Sequence, residues 1–421
     1  MAPIGTVTTS FALDKSEYQG TEPVTGTVSI RFRPPIGLPS TQQSDLFGPL
    51  SLRVVLKGHL TIAVSENRTS HAHIFFNEKR SLLSKSTELL NGPYRAAPHD
   101  SQHFPFRIQF PYLTDAFKGQ KDLLPPSFQA QYSAQPPRQL GKHHGSALIE
   151  YDVRVEAEMV GIDVAITNDT LPAKITYQLP AETPTTSKTE FTETVQLQSY
   201  GLLPEEKRPS LLERTRAKMK GAALPSVSFA VTCSSYPETL APGAPVQFDV
   251  RVRHESKDTN INSIPEIAFS DCKVDLIART QLYATNHRGA DSARIDGSEI
   301  EASLPLTKVE PPGVFSKEND YTKRLTFDPL PNKIPCSFLI KKLGRSYKLR
   351  IELQFLISGE KVSLVKTVSV RVLPPPISWP TMPEPEAGPS RVNRIGSRSS
   401  ETDELPKYHE IGRSAPPFQH L

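Results

Sequence analysis

Along residues 148–160, LIEYDVRVEAEMV, apolar and charged side chains alternate. Ile149, Tyr151, Val153, Val155 and Ala157 fall on one face, and Glu150, Asp152, Arg154, Glu156 and Glu158 on the other. Successive side chains of a strand point to opposite sides, so the pattern predicts a strand with one dry and one wet face, as in an antiparallel sheet. PVQFDVRVRHE (245–255) and YKLRIELQFLI (347–357) repeat it. LSLRVVLKGHLTIAV (50–64) and KTVSVRVL (366–373) read as further strands. Gly, Pro, Asn and Asp clusters separate such runs, the punctuation of β-sandwiches. One stretch reads as helix. RPSLLERTRAKMKG (208–221) opens on Pro-Ser, continues through good helix formers and stops at Gly221. It sets Arg208, Arg214, Arg216, Lys218 and Lys220 against Glu213, which suits a solvated linker helix or a membrane or partner contact.

An internal repeat shapes the domain reading. FALDKSEYQGTEPVTGTVSI (11–30) and FAVTCSSYPETLAPGAPVQFDV (229–250) both begin Phe-Ala and place a tyrosine seven residues on, Tyr18 and Tyr236. Each has a glycine shortly before Pro-Val: Gly20 before Pro23-Val24, and Gly243 before Pro245-Val246. The long separation of the copies points to tandem related domains, because solenoid repeats recur every ~20–50 residues. The expected organisation is a domain over 1–180, a linker with the short basic helix over 181–223, a second domain over 224–373 and a disordered tail over 374–421. That tail has ten prolines and few aliphatic residues, too little apolar surface to offset the entropy of ordering.

The 40 prolines among 421 residues favour loops and β structure over helix, and the formal charge of +4 gives no reason to expect nucleic acid as a partner. Cys233, Cys272 and Cys336 are too few and too scattered for a disulfide framework or a zinc site, which predicts buried thiols in a reducing compartment. MAPIGTVTTSFAL lacks the charged and apolar segments of a signal peptide, and no run approaches ~18 apolar residues. The chain is therefore expected in the cytoplasm.

With the opening FALDKSEYQGTEPVTGTVSI, the strand LRVVLKGHLTIAV (52–64) with its Leu-x-Gly, and the order HFPFRIQFP (103–111), LPPSF (124–128), IEYDVRVEAEMV, the chain resembles arrestin-like proteins, in particular the fungal α-arrestins. The resemblance covers about 1–373, more loosely in the second half. It implies an all-β protein of two tandem immunoglobulin-like sandwich domains. It further implies an adaptor that links plasma-membrane transporters or receptors to a HECT-type ubiquitin ligase, promotes their ubiquitination and endocytosis, and is recruited to the plasma membrane or endosomes. SAQPPRQLGKHHG (133–145) departs from the family as an insertion, and GIDVAITNDTLPAKI lacks the Arg-Pro often found there.

The tail carries the motif that the resemblance makes meaningful. In DELPKYHEIG (403–412), Leu405 and Pro406 suit the aromatic groove of a WW domain, and Tyr408 suits its second pocket. The family's usual motif is Pro-Pro-x-Tyr; here it is Leu-Pro-Lys-Tyr, and APPFQ has Phe418 in the tyrosine place. Lys341, Lys342, Arg345, Lys348 and Arg350 form a basic cluster that would meet acidic lipid or an acidic client segment, or else line a solvated turn. Arg394 precedes Ser397 by three residues, a candidate phosphorylation site for a basophilic kinase. His71 and His73 lack a third ligand, and no catalytic motif is present, so no metal, cofactor or catalytic residue is expected. The alternative reading is an arrestin-like signalling scaffold on a membrane sensor, without a ubiquitin ligase. A β-sandwich enzyme or carbohydrate binder fits less well, since no paired loop acids or aromatic platform are evident and Trp379 lies in the tail.

Overall fold

The alternation in the sequence is realised strand by strand. The computed structural model describes residues 5–37, 39, 43–69, 72–115, 121–134, 143–162, 164–183, 189–219, 223–285, 292–315 and 321–375. Leu405, Pro406, Tyr408, Ser397 and the whole expected disordered tail beyond 375 lie outside these residues, as does His71.

In the N-terminal lobe the strands are β1 (Thr6–Leu13), β2 (Glu17–Gln19), β3 (Pro23–Arg33), β4 (Leu46–Thr69), β5 (Ala72–Ala96), β6 (Ser101–Gln109), β7 (Phe128–Ala134), β8 (His143–Met159), β9 (Ala165–Asn168) and β10 (Ala173–Gln178). The C-terminal lobe has β11 (Thr189–Gln198), the helix α1 (Leu211–Met219), β12 (Ser226–Tyr236), β13 (Thr239–Leu240), β14 (Pro245–Lys257), β15 (Ile267–Thr285) and β16 (Ser292–Leu304). It continues through β17 (Leu306–Glu310), β18 (Thr322–Pro329), β19 (Phe338–Ile340), β20 (Leu343–Ile357) and β21 (Glu360–Val372). All belong to one compact unit, Met1–Ile377. The fold is all-β, two curled β-sandwich units in tandem.

The two lobes share one plan. The N-terminal sheets run β6-β3-β1-β9 and β2-β10-β8-β4-β5, with β7 also on β8. The C-terminal sheets run β11-β12-β14-β18-β17 and β13-β21-β20-β15-β16, with β19 also on β20. Strand for strand, β1 to β8 and β10 correspond to β12 to β16 and β18 to β21. Even the short parallel pairs match: β2 with β10, β13 with β21.

The correspondence reaches single hydrogen bonds. In Leu124-Pro125-Pro126-Ser127-Phe128, Tyr151 Oη donates to Pro125 O (2.6 Å), and Ser127 clips β10 by N–H to Tyr177 O (2.8 Å) and Oγ from Tyr177 N–H (2.9 Å). In Ile334-Pro335-Cys336-Ser337-Phe338, Tyr347 Oη donates to Pro335 O (2.6 Å), and Ser337 clips β21 through Val372 in the same way (2.8 and 3.0 Å). Opposite each tyrosine stands a small residue, Gly58 against Tyr151 and Ala278 against Tyr347. A Cβ on Gly58 would meet the Tyr151 ring at 2.6 Å, which accounts for glycine in the Leu-x-Gly of β4.

Burial follows the period-two reading. Tyr347, Leu349, Ile351, Leu353, Phe355 and Ile357 are all buried in β20, as are Ile149, Tyr151, Val153 and Val155 in β8. Glu156, on the wet face, pairs with Arg53 (2.7 Å) and Lys57 (3.5 Å). The helix expected over 208–221 spans Leu211–Met219. The connection expected over 181–223 differs. Its residues Thr189–Gln198 form β11, an edge strand on β12, and α1 lies in the loop joining these two strands. TEFTETVQLQ hides this because only Val195 and Leu197 are buried, the rest being threonine, glutamate and glutamine around a half-buried Phe191.

Candidate functional site

The two lobes meet through the ends of β7, β8, β15, β16 and the β19–β20 turn. Leu282, Ala284, Ile295, Phe338, Ile340 and Leu343 of the C-terminal lobe are part of the N-terminal apolar core. The backbones approach closely because both sides use glycine. A Cβ on Gly145 would lie 2.8 Å from Leu282 and 2.9 Å from Ile295, and one on Gly297 would lie 2.6 Å from the Tyr132 ring. Phe128 and Phe338, equivalent positions of the two lobes, meet edge to face at 5.1 Å and 72°.

Two ionic clusters bridge this apolar seam. Arg345 is buried. Its Nη1 donates to Tyr132 Oη, to Thr280 Oγ1 (2.6 Å) and to Glu299 (3.1 Å), its Nη2 to Glu301, and its Nε to Tyr347 Oη (3.2 Å). The guanidinium lies over the rings of Phe128 (5.8 Å) and Tyr347 (5.3 Å). Burial raises the pKa of Tyr132, so the phenol stays protonated beside the cation. In the second cluster, Lys342 Nζ reaches both Glu78 oxygens at 2.6 Å and Thr285 Oγ1 at 2.9 Å, and Thr285 Oγ1 donates to Glu78 (3.1 Å). Burial pushes the Glu78 carboxyl up. The hydrogen bonds from Lys342 and Thr285 and the charge of Lys342 together outweigh it and hold the group below the ordinary carboxylate range.

Beside the seam lies a cleft of about 730 Å³. Tyr112, Leu123, Tyr177 and Leu179 line it from the N-terminal lobe, Phe338 and Leu339 from the other, and the Arg371–Glu182 ion pair (2.7 Å) stands at its wall. Tyr112, Leu123 and Leu339 are 62, 52 and 76% exposed, so the lining is apolar and open to water. An apolar trough with one ion pair suits an extended peptide or chain, whose apolar groups would displace water from the lining.

The basic cluster expected over 341–350 is divided by the fold. Lys342 and Arg345 are buried and spent on internal carboxylates, which corrects their assignment to an acidic lipid or client contact. Lys341 is exposed on the turn, and its backbone N–H lies 3.4 Å from Asp122 Oδ2. Lys348 is exposed on the outer face of β20, and Arg350 there is half-buried and 3.6 Å from Glu352. The sequence reading missed Glu78, Tyr132, Thr280, Glu299 and Glu301. One signal was available: Arg345 is in phase with the inward residues Tyr347, Leu349 and Ile351. Among the described residues, no three His, Cys, Asp or Glu side chains converge as metal ligands, and no helix is long and apolar enough to cross a membrane. No protein-family model matches the chain, and neither does any curated protein.

Proposed function

We propose that this chain is an adaptor: its lobes hold a cytosolic loop or tail of a membrane transporter or receptor, and Leu405, Pro406 and Tyr408 engage a WW domain of a HECT-type ubiquitin ligase. The observation that supports the reading most is the open apolar cleft at the seam of two duplicated sandwich lobes, on a chain that also carries a WW-type segment. Tethering client and ligase to one chain raises their mutual concentration toward the ~millimolar range and makes ubiquitin transfer effectively intramolecular, so that client ubiquitination and endocytosis follow. The adaptor works in the cytoplasm and is recruited to the plasma membrane or endosomes.

The test is a pull-down of the full chain with isolated ligase WW domains, alongside Tyr408→Ala. Loss of WW binding in the variant is expected. Undiminished binding, or none by the wild type, removes the ligase step and leaves the signalling-scaffold reading.

A further inference from the structure

Helix α1 lies in the loop between β11 and β12, and none of its described side chains is buried. Leu211, Leu212 and Met219 are 79, 77 and 82% exposed. At about 100° per residue, Leu211, Leu212, Thr215 and Met219 fall within an arc of about 100°. Arg214 and Arg216 flank the two edges of that arc. Glu213 is on the far side and is occupied: its Oε2 accepts from Ser210 N–H (2.8 Å) and Ser210 Oγ (2.9 Å), capping the first turn.

The stem of the helix is fixed. Leu202 is buried, Arg208 donates to the carbonyls of Leu203 (2.9 Å) and Gly201 (3.1 Å), and Arg214 donates to Pro209 O (2.9 Å) while lying 5.8 Å from the Tyr200 ring centre. The helix is thus held out from the lobe with its apolar arc in water. Residues 205–220 carry six basic and three acidic side chains. A short apolar arc edged by arginines matches a helix lying in the plane of a bilayer interface, where apolar side chains enter the headgroup boundary and cations reach back to lipid anions. The basic excess selects an anionic surface.

We propose that α1 docks on an anionic phospholipid bilayer, with Leu211, Leu212 and Met219 inserted at the headgroup level and Arg214 and Arg216 on lipid phosphates and carboxylates. The proposal goes beyond the adaptor reading and does not depend on it, because lipid binding requires neither ligase nor client.

The experiment is co-sedimentation of the full chain with vesicles of phosphatidylcholine alone and of phosphatidylcholine mixed with phosphatidylserine, at low and raised salt. Binding to the anionic vesicles only, weakened by salt, is expected. Leu211→Asp with Leu212→Asp should reduce partitioning at least about tenfold, and Arg216→Ala about fivefold. The replaced side chains are exposed, so the thermal midpoint should not move; Met219→Asp is the second variant, with the same expected direction. Failure of the wild type to bind anionic vesicles overturns the proposal. So does binding undiminished in both aspartate variants, which would place the membrane contact on another surface. Loss of a protein partner by variants that keep vesicle binding would overturn it too, assigning the arc to a protein groove.

Discussion

Arg345 is held by two tyrosine hydroxyls, a threonine and two glutamates, and removing it takes the counter-cation from the largely buried Glu301 carboxylate. Breaking a buried pair from one side costs about 3–5 kcal/mol. Arg345→Ala should therefore destabilise the chain by about 3 kcal/mol in urea unfolding, while Lys348→Ala, on the outer face of the same strand, should stay within about 0.5 kcal/mol. The cysteines give a second prediction at this scale. Cys233, Cys272 and Cys336 are buried, and burial pushes the Cys233 and Cys336 thiols up to about 12 and raises Cys272 as well. Native protein at neutral pH should resist a thiol-titrating disulfide reagent and react at all three sites once unfolded.

Among the elements, the β4–β8 and β15–β20 pairs show what the tyrosine rungs require of their neighbours. Ala278 opposite Tyr347 is tolerated, but an alanine at Gly58 would bring its methyl within 2.6 Å of the Tyr151 ring. Gly58→Ala should destabilise by about 1–3 kcal/mol by overpacking, read as a fall in thermal midpoint, with relief when combined with Tyr151→Leu. Period two made β8, β14 and β20 legible in the sequence, because each buries one face and wets the other. It failed for β11, an edge strand with only two buried side chains. The second Pro-x-Ser-Phe, at 335–338, was also readable, yet its meaning depends on Tyr347 and Val372, which only the folded chain brings to it. Glu78 and Lys342 were illegible as a pair: 264 residues separate them, and no local pattern records a partner at that distance.

For the whole molecule, a core that draws side chains from both lobes implies that neither melts alone. Hydrogen exchange should show β4, β8, β15 and β20 losing protection together in denaturant; separate loss would show the seam to be weak. The Glu78–Lys342 cluster adds a pH dependence. Because the folded carboxyl titrates below its ordinary value of 4.5, its contribution is complete above that pH and disappears as pH falls through the lower, folded value. The stability gap between wild type and Glu78→Gln should be constant near neutrality and shrink below about pH 4.5. The seam is also reciprocal. Phe128 touches Phe338, and β7 packs on β16 while the β19–β20 turn packs on β5, so each copy grips its sibling with the same part. That reciprocity is the mark of a half-turn relating two identical bodies. Each half is thereby both the grip and the thing gripped, so a change in that shared part, at Phe128 or at Phe338, loosens one and the same contact.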